Sequence, residues 1–355
     1  MKRTTPLLAA LAALPLSLLS PAPSGAAPAA AEPGPGVTAS SSTYSQNAQL
    51  KRELGTRSAG SYLDAETGEL ITTVTGEADA AKVRAAGGRA ELVARSGARL
   101  QSAIDALQQD ASVPGTSWGI DPRRNQVVVE ADSTVSRAGL RRLADIAAAQ
   151  GGAVQVKRVT GTFREEVAGG GAIYGGGYRC SSAFNVSAGS TRYFVTAGHC
   201  TNAGTDWRAT SGGAVIGQRT GTSFPTNDYG IVKYTDGSAP AGNVDLYNGS
   251  YQDITSAADP VVGQAVKKSG STTKVTSGKV TQTNVTVNYG SGKTVYGMVK
   301  TTVCSGSGDS GGAHFAGTTA LGIHSGSGGC SDGVNGSAIF QPVREALSAY
   351  GVNVY

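Results

Sequence analysis

Composition and periodicity predict an α+β segment over residues 32–166 followed by an all-β segment over 167–355. Residues 32–166 carry 16 Lys/Arg and 16 Asp/Glu, so 32 of 135 are charged; residues 167–355 carry 12 and 9, so 21 of 189. The first segment has apolar residues at helical spacing over 78–86, 97–109 and 136–149. The second consists of short Val/Ile/Thr/Tyr runs between Gly, Ser and Asn turns, the pattern of a barrel or sandwich, until a helical run at 342–350.

Each element of the first segment follows from its residues. Positions 32–50 are rich in Pro, Ala, Gly and Ser and read as a flexible lead. Ser61-Tyr62-Leu63-Asp64 and Ile71-Thr72-Thr73-Val74 read as a hairpin, followed by a helix and a strand at 90–94. Ser117-Trp118-Gly119-Ile120-Asp121 and Val127-Val128-Val129-Glu130 repeat the pattern, ending in a strand at 154–159. Two hairpin-helix-strand units predict one compact α+β domain. It has no His or Cys, so it carries no catalytic constellation of its own. Its patterned apolar faces point to a folded partner of the second segment rather than a spacer.

The 355 residues begin with Lys2 and Arg3, then a mostly apolar run from Leu7 to Leu19. Small residues from Ser20 to Ala31 offer several cleavage sites, so residues 1–31 read as a secretory signal cut within 24–31. About 13 apolar residues interrupted by Pro15 fall short of the ~20 that span a bilayer, and no later run is longer, so no membrane association is expected. The net charge of +5 comes without any basic run interleaved with aromatics, which argues against nucleic acid as a partner. Four cysteines in an exported chain favour disulfides and allow three pairings. The local pairs Cys180–Cys200 and Cys304–Cys330 are favoured, because each loop would hold one of the motifs below. No Cys-x-x-Cys or His spacing supports zinc, and neither metal nor cofactor is expected.

The chemistry is concentrated in Gly308-Asp309-Ser310-Gly311-Gly312. Small residues let the backbone turn sharply, present the Ser310 hydroxyl, and aim the N–H groups of Gly308 and Ser310 at one point beside it. That is a nucleophile next to an oxyanion hole. Thr196-Ala197-Gly198-His199-Cys200 and Asn227-Asp228-Tyr229-Gly230-Ile231 precede it, giving the order His, Asp, Ser. His199 would act as general base, and Asp228 would orient it and stabilise its cation. The alternatives are a buried structural histidine and an ordinary turn aspartate.

These residues resemble the chymotrypsin superfamily and, within it, the bacterial streptogrisins. The resemblance covers 167–355 nearly end to end. Besides the Ser310 run it rests on Phe194-Val195-Thr196-Ala197-Gly198-His199-Cys200-Thr201, on Phe224-Pro225-Thr226-Asn227-Asp228-Tyr229-Gly230-Ile231-Val232, and on the ending from Gln341-Pro342-Val343 to Tyr350-Gly351. Gly322-Ile323-His324-Ser325-Gly326-Ser327, with Ser305 after Cys304, is similar to the glutamyl endopeptidases of Streptomyces. The resemblance implies two six-stranded antiparallel β-barrels with the active site between them. It also implies a propeptide over 32–166 that assists folding and inhibits the protease, and a monomeric secreted enzyme acting on polypeptides. Ser325 would bond near the catalytic Asp, and Ser325–Ser327 would pair with extended substrate. Asp309 would be buried against a cation, with Lys268 the candidate and Lys267 its neighbour.

Specificity follows from the pocket positions that the resemblance assigns. Thr302 stands where a Lys/Arg-specific pocket needs an acid. Ser305, His324 and Ser327 supply two hydroxyls and an imidazole, donors that suit a carboxylate. Glu166 precedes Val167 at the Gly-rich junction, so a Glu-specific enzyme would release itself there. The family lines up further histidines behind the pocket. His314 matches the middle one, but Phe340 stands in place of the last. An apolar ring there disfavours the charged form of His324 and predicts a weaker or pH-shifted Glu preference. A broad preference for large apolar residues, or an inactive peptide-binding protein, are the competing expectations.

Overall fold

The computed structural model describes residues 36–110, 113–159, 164–165, 170–238, 240–331 and 335–355. The expected signal segment and the Glu166–Val167 junction lie outside the described residues. The strands Ser58–Leu63 and Leu70–Val74 form an antiparallel hairpin, and Arg89–Leu92 joins in parallel after a crossover helix. Helices α1 (Ser41–Leu54) and α2 (Glu77–Ala85) cover this sheet, burying Leu50, Leu54, Ala80 and Val83 against Leu63, Leu70 and Val74. A second hairpin, Thr116–Asp121 with Gln126–Ala131, gains Val154–Arg158 in parallel. It packs under α3 (Gly97–Asp110) and α4 (Arg137–Ala149) through Leu100, Ile104, Leu107, Trp118 and Leu143.

Two expectations change. The repeat exists, but its units do not share a sheet: each has its own core, giving two small α+β modules where one domain was expected. The expected flexible lead over 32–50 is helical from Ser41. Ser40 caps the helix by accepting from Thr43 N–H at 3.2 Å, and Lys51 and Arg52 lie in the last turn, where the helix dipole favours cations. Leu50 and Leu54 anchor it, so burial decides where small polar residues had suggested a loop.

The second segment holds two large sheets and, among the described residues, a two-stranded one of Asn243–Asp245 with Tyr251–Asp253. The first runs in the order Asn353–Val354, Phe184–Ala188, Thr191–Thr196, Tyr229–Tyr234, Val215–Ser223, Asp206–Arg208, Gly171–Gly175, Tyr178–Ser182. Only Ala183 separates Tyr178–Ser182 from Phe184–Ala188; counted as one continuous strand, they roll the eight-stranded sheet on itself as six strands plus the C-terminal one. The other sheet runs Ala265–Gly270, Ala313–Ala316, Thr319–Ser331, Asn335–Pro342, Thr294–Thr301, Lys274–Asn288. Its first and last strands also pair, closing a six-stranded barrel. A short helix, α5 (Gly198–Ala203), interrupts the expected all-β run. The C-terminal helix α6 (Val343–Tyr350) buries Val343, Ala346 and Leu347 in the core of the first barrel and so ties the two together. Disulfides join Cys180 to Cys200 and Cys304 to Cys330, with Cα–Cα separations of 6.2 and 5.1 Å.

Among the described residues, the segment before the barrels meets them at three places. Strand Thr116–Asp121 pairs antiparallel along Lys274–Asn288, matching Ser117 to Val287 and Thr116 to Asn288. Beside it Lys300 is buried against Glu130, whose carboxylate offsets the removal of the ammonium from water. The first module grips Val261–Ala265: Leu63 N–H donates to Val262 C=O at 2.8 Å and Val37 N–H to Gly263 C=O at 3.0 Å. Finally, Arg164–Glu165 pairs antiparallel with Ser327 and Gly326.

Truncating Leu54 to Ala should cost about 2–5 kcal/mol by opening a cavity under α1. Exposed Gln49→Ala should change stability by less than about 0.5 kcal/mol. Thermal unfolding of the full chain carrying Ser310→Ala checks both, and equal effects would return 41–54 to the status of a loose lead.

Candidate active site

Strand Thr191–Thr196 runs into α5, which places His199 at the seam between barrels. The His199 side chain is 7 % exposed and Asp228 is fully buried. His199 Nδ1 lies 2.8 Å from Asp228 Oδ2 and 3.0 Å from Oδ1, and the His199 backbone N–H donates to Oδ1 at 2.9 Å. A carboxylate only accepts, so Nδ1 carries the proton and the lone pair of the neutral ring is on Nε2. Ser325 O–H donates to Asp228 Oδ2 at 2.6 Å, and the Asp228 N–H donates to Gln341 Oε1 at 2.9 Å.

The Ser310 loop lies directly on this arrangement. Gly311 has φ +83°, and a Cβ there would sit 2.3 Å from Thr196 Oγ1 and 2.5 Å from Ser181 O, so only glycine allows the approach. Gly311 N–H donates to His324 C=O at 2.7 Å, and Ser310 Oγ lies 3.4 Å from Ser325 O. Asp228 and Ser310 therefore both meet Ser325, and His199 joins them through Asp228. Gly308 turns with φ +113°. Among the described residues no carbonyl takes the N–H of Gly308 or Ser310.

Asp309 and Lys268 have no exposed side-chain surface and meet at 2.8 Å. Lys267, one step along the strand, is exposed. Burial alone would raise the Asp309 carboxyl. The Lys268 charge and the hydrogen-bond donors outweigh it, leaving Asp309 below the ordinary carboxylate value. Thr273 hydroxyl donates to Asp309 Oδ2 while accepting from Lys268 Nζ, and the N–H groups of Gly306, Thr272 and Thr273 add further donors.

The pocket residues Ser305, His324 and Ser327 are all buried. Ser305 Oγ has no partner among the described residues, a hydroxyl left for a ligand to satisfy. Thr302 accepts from Lys279 N–H at 3.1 Å and serves the sheet. Behind the pocket, His324 Nδ1 lies 3.1 Å from His314 Nε2. His314 stacks on Phe340, with centroids 4.4 Å apart and planes at 30°. Burial, reinforced by His324 and Lys268, pushes His314 well below the ordinary histidine value and keeps it neutral. Its Nδ1 has no partner among the described residues. A proton there would be a buried orphan donor, so the proton belongs on Nε2, directed at His324 Nδ1. His324 Nδ1 then accepts, which places the proton of a neutral His324 ring on Nε2.

Sequence reasoning missed Thr273, Gln341 and Tyr289 as members of this site. Tyr289 Oη lies 2.9 Å from Ser325 Oγ. Gln341 stood within a quoted motif; Tyr289 and Thr273 had no signal beyond their turns.

The comparisons fall in line with this geometry. The family model described as Trypsin matches residues 169–349. Alpha-lytic protease pro N-terminal matches 31–93, and Alpha-lytic protease prodomain matches 95–151, reproducing the two modules. Serine protease 1 of Streptomyces fradiae is 62% identical over 359 residues, covering 100% of both chains. Glutamyl endopeptidase 2 of Streptomyces griseus is 75% identical over 189 residues, 53% of this chain and 100% of the relative. A solved structure, described as a glutamic acid specific serine protease that utilizes a histidine triad in substrate binding, matches with TM-score 0.52 and 76% identity over 53% of this chain and 99% of that one. The class these findings define is a trypsin-like serine protease of chymotrypsin fold, preceded by a propeptide. Within that class, the chain belongs to the streptogrisin group, close to the Streptomyces serine proteases.

Lys268→Met should leave the Asp309 charge buried and uncompensated, at a cost of about 3–5 kcal/mol at neutral pH. A depressed carboxyl contributes stability above its unfolded value, about pH 4, that is lost as pH falls through its folded value. In Lys268→Met the carboxyl loses its cation and burial raises it, so the gap to the parent should narrow as pH falls, starting above about pH 4 and continuing below it. Unfolding midpoints of the two full chains, each carrying Ser310→Ala, measured from pH 7 to pH 3, test this; a constant gap would refute it.

Proposed function

We propose that residues 167–355 form a secreted serine endopeptidase that cleaves after Glu, and less readily after Asp, and is released from its precursor by a cut after Glu166. Residues 1–31 would direct export and be removed. Ser310 Oγ attacks the scissile carbonyl carbon while His199 Nε2 takes its proton. The N–H groups of Gly308 and Ser310 hold the oxyanion, and His199 gives the proton to the departing amine as the C–N bond breaks. Water then repeats the sequence on the acyl-enzyme, with Asp228 stabilising the imidazolium throughout. No step calls for a metal or cofactor.

The observation that carries the specificity is the buried polar set of Ser305, Ser327 and His324, in which the Ser305 hydroxyl has no partner among the described residues. The relatives named for glutamic acid specificity support the same reading. The pairing of Arg164–Glu165 with Gly326 and Ser327 supports the propeptide as inhibitor: it lies along the strand proposed for substrate. Its pairing along Lys274–Asn288 supports a role in folding, because it supplies a ready edge on which that hairpin can form. The buried ring of Phe340 favours one competing reading, a preference for large apolar residues.

The first test is a peptide series differing only before the scissile bond, with Glu, Asp, Gln, Phe, Leu and Lys. Glu should lead Gln by more than about tenfold in kcat/KM, the scale of a charge-assisted hydrogen bond. A lead for Phe or Leu would install the apolar reading. Organophosphate should label Ser310, and an unlabelled protein would be an inactive homologue.

Phe340→His gives His314 Nδ1 a polar neighbour. The Glu-over-Gln ratio should rise roughly two- to tenfold below pH 7, with kcat little changed. A ratio that stays the same from pH 5 to pH 9 would count against any role for Phe340 in the pocket.

A further inference from the structure

Tyr289 sits in the turn between Lys274–Asn288 and Thr294–Thr301, outside every motif that pointed to the active site. Its hydroxyl and that of Ser325 are 2.9 Å apart. Ser325 has a single hydroxyl proton, and it is directed at Asp228 Oδ2, 2.6 Å away. The carboxylate has no proton to return, so Tyr289 must be the donor to Ser325. The result is a directed chain: Tyr289 O–H to Ser325 Oγ, then Ser325 O–H to Asp228 Oδ2. The same carboxylate accepts the Nδ1 proton of His199 at 2.8 Å. Each donor polarises the next.

The hairpin that carries Tyr289 reaches the Asp228 loop a second way. Thr226 N–H donates to Thr294 C=O at 2.9 Å, and Tyr296 N–H donates to Thr226 C=O at 2.9 Å. Thr226 has φ +90°, a strained conformation for a β-branched residue that needs such support. Two residues later comes Asp228. Its loop is therefore held by the hairpin backbone on one side and by Tyr289, through Ser325, on the other.

We propose that Tyr289 is a positioning residue for Asp228, acting through Ser325 to fix the carboxylate and to draw negative charge from Oδ2. This rests on the triad reading above. Tyr289→Phe keeps the ring and removes only the donor. Ser325 then donates less strongly, Oδ2 keeps more negative charge, and the His199 cation is favoured. The acid limb of kcat/KM should move to higher pH by a few tenths of a unit. Looser orientation should lower kcat by roughly two- to tenfold, the scale of one hydrogen bond. KM for the Glu peptide should stay within about twofold, since no substrate contact is removed.

The experiment compares wild type and Tyr289→Phe, both matured from the full chain. A kcat and acid limb equal to wild type would overturn the proposal, and so would a loss confined to KM. If the variant fails to mature, the full-length Ser310→Ala precursor, with and without Tyr289→Phe, gives the readout through the low-field proton resonance of His199 Nδ1. A shift of that resonance supports the relay, and an unmoved one overturns it. Failure of wild type to take organophosphate at Ser310 would instead sink the triad reading itself, whatever Tyr289→Phe does.

Discussion

The buried contact between Asp309 and Lys268 sets the terms for the rest of the site. Removing both charges from water is costly, and five donors converge on one carboxylate to offset it: Lys268 Nζ, Thr273 Oγ, and the N–H groups of Gly306, Thr272 and Thr273. That convergence fixes the residue before Ser310, and with it the direction of the Gly308 and Ser310 N–H groups. The cation comes from the strand Ala265–Gly270 of the same barrel. It is in place while the N-terminal modules are still attached. A precursor whose catalytic loop is already formed cannot be kept silent by disorder of that loop. On the proposed reading of the propeptide as inhibitor, filling the cleft is the remaining route, and the strand Arg164–Glu165 along Gly326 and Ser327 fits that requirement.

The propeptide contacts follow the same economy of means. An open strand edge is a template for pairing, and residues 283–288, beyond the pairing of Lys274–Asn288 with Ala265–Gly270, leave such an edge on the second barrel. Strand Thr116–Asp121 covers it, so one hairpin pairs with the propeptide along its outer edge and reaches the Asp228 loop at its tip. The propeptide is therefore coupled to the site at both ends: through the cleft, and through the hairpin that carries Tyr289. Glu130 is the companion of buried Lys300 in this arrangement, so leaving the barrels requires that a charge pair be returned to water.

Much of this was legible because the chemistry is local in sequence. His199, Asp228 and Ser310 each sit in a short motif, and the resemblance those motifs carry implied the two barrels. Lys268 against Lys267 was not decidable from spacing; strand alternation settles it by burying one and exposing the other. Tyr289 was illegible for a different reason. Its partner Ser325 is 36 residues away, and the length of two strands decides whether a turn tyrosine reaches it. Helix α1 was hidden by composition: Ser, Ala and Gln give little periodic signal, and two leucines supply the anchoring. The two modules looked like one domain because a repeat reveals its units but not whether they share a sheet.

Phe340 is more than a missing histidine. Its ring lies over Gly322, where a Cβ would approach Phe340 Cδ2 to 1.9 Å, so glycine there is what admits the larger side chain. On its other side Phe340 joins Val262, Val266, Val280, Val299, Val303 and Leu321, extending the barrel core up to the back of the pocket. Polarity thus falls with depth, from Ser305 and Ser327 through His324 and His314 to an apolar floor. A fully buried histidine with one unpartnered nitrogen is a poor core residue, costing about 1–3 kcal/mol in lost hydrogen bonding. A purely structural account would fill that space with another apolar side chain. The feature that offsets the cost is the bond to His324, which fixes the tautomer facing the pocket. Phe340 therefore sets an apolar limit behind the proposed pocket, while His314 still orients His324, the side chain proposed to meet the substrate.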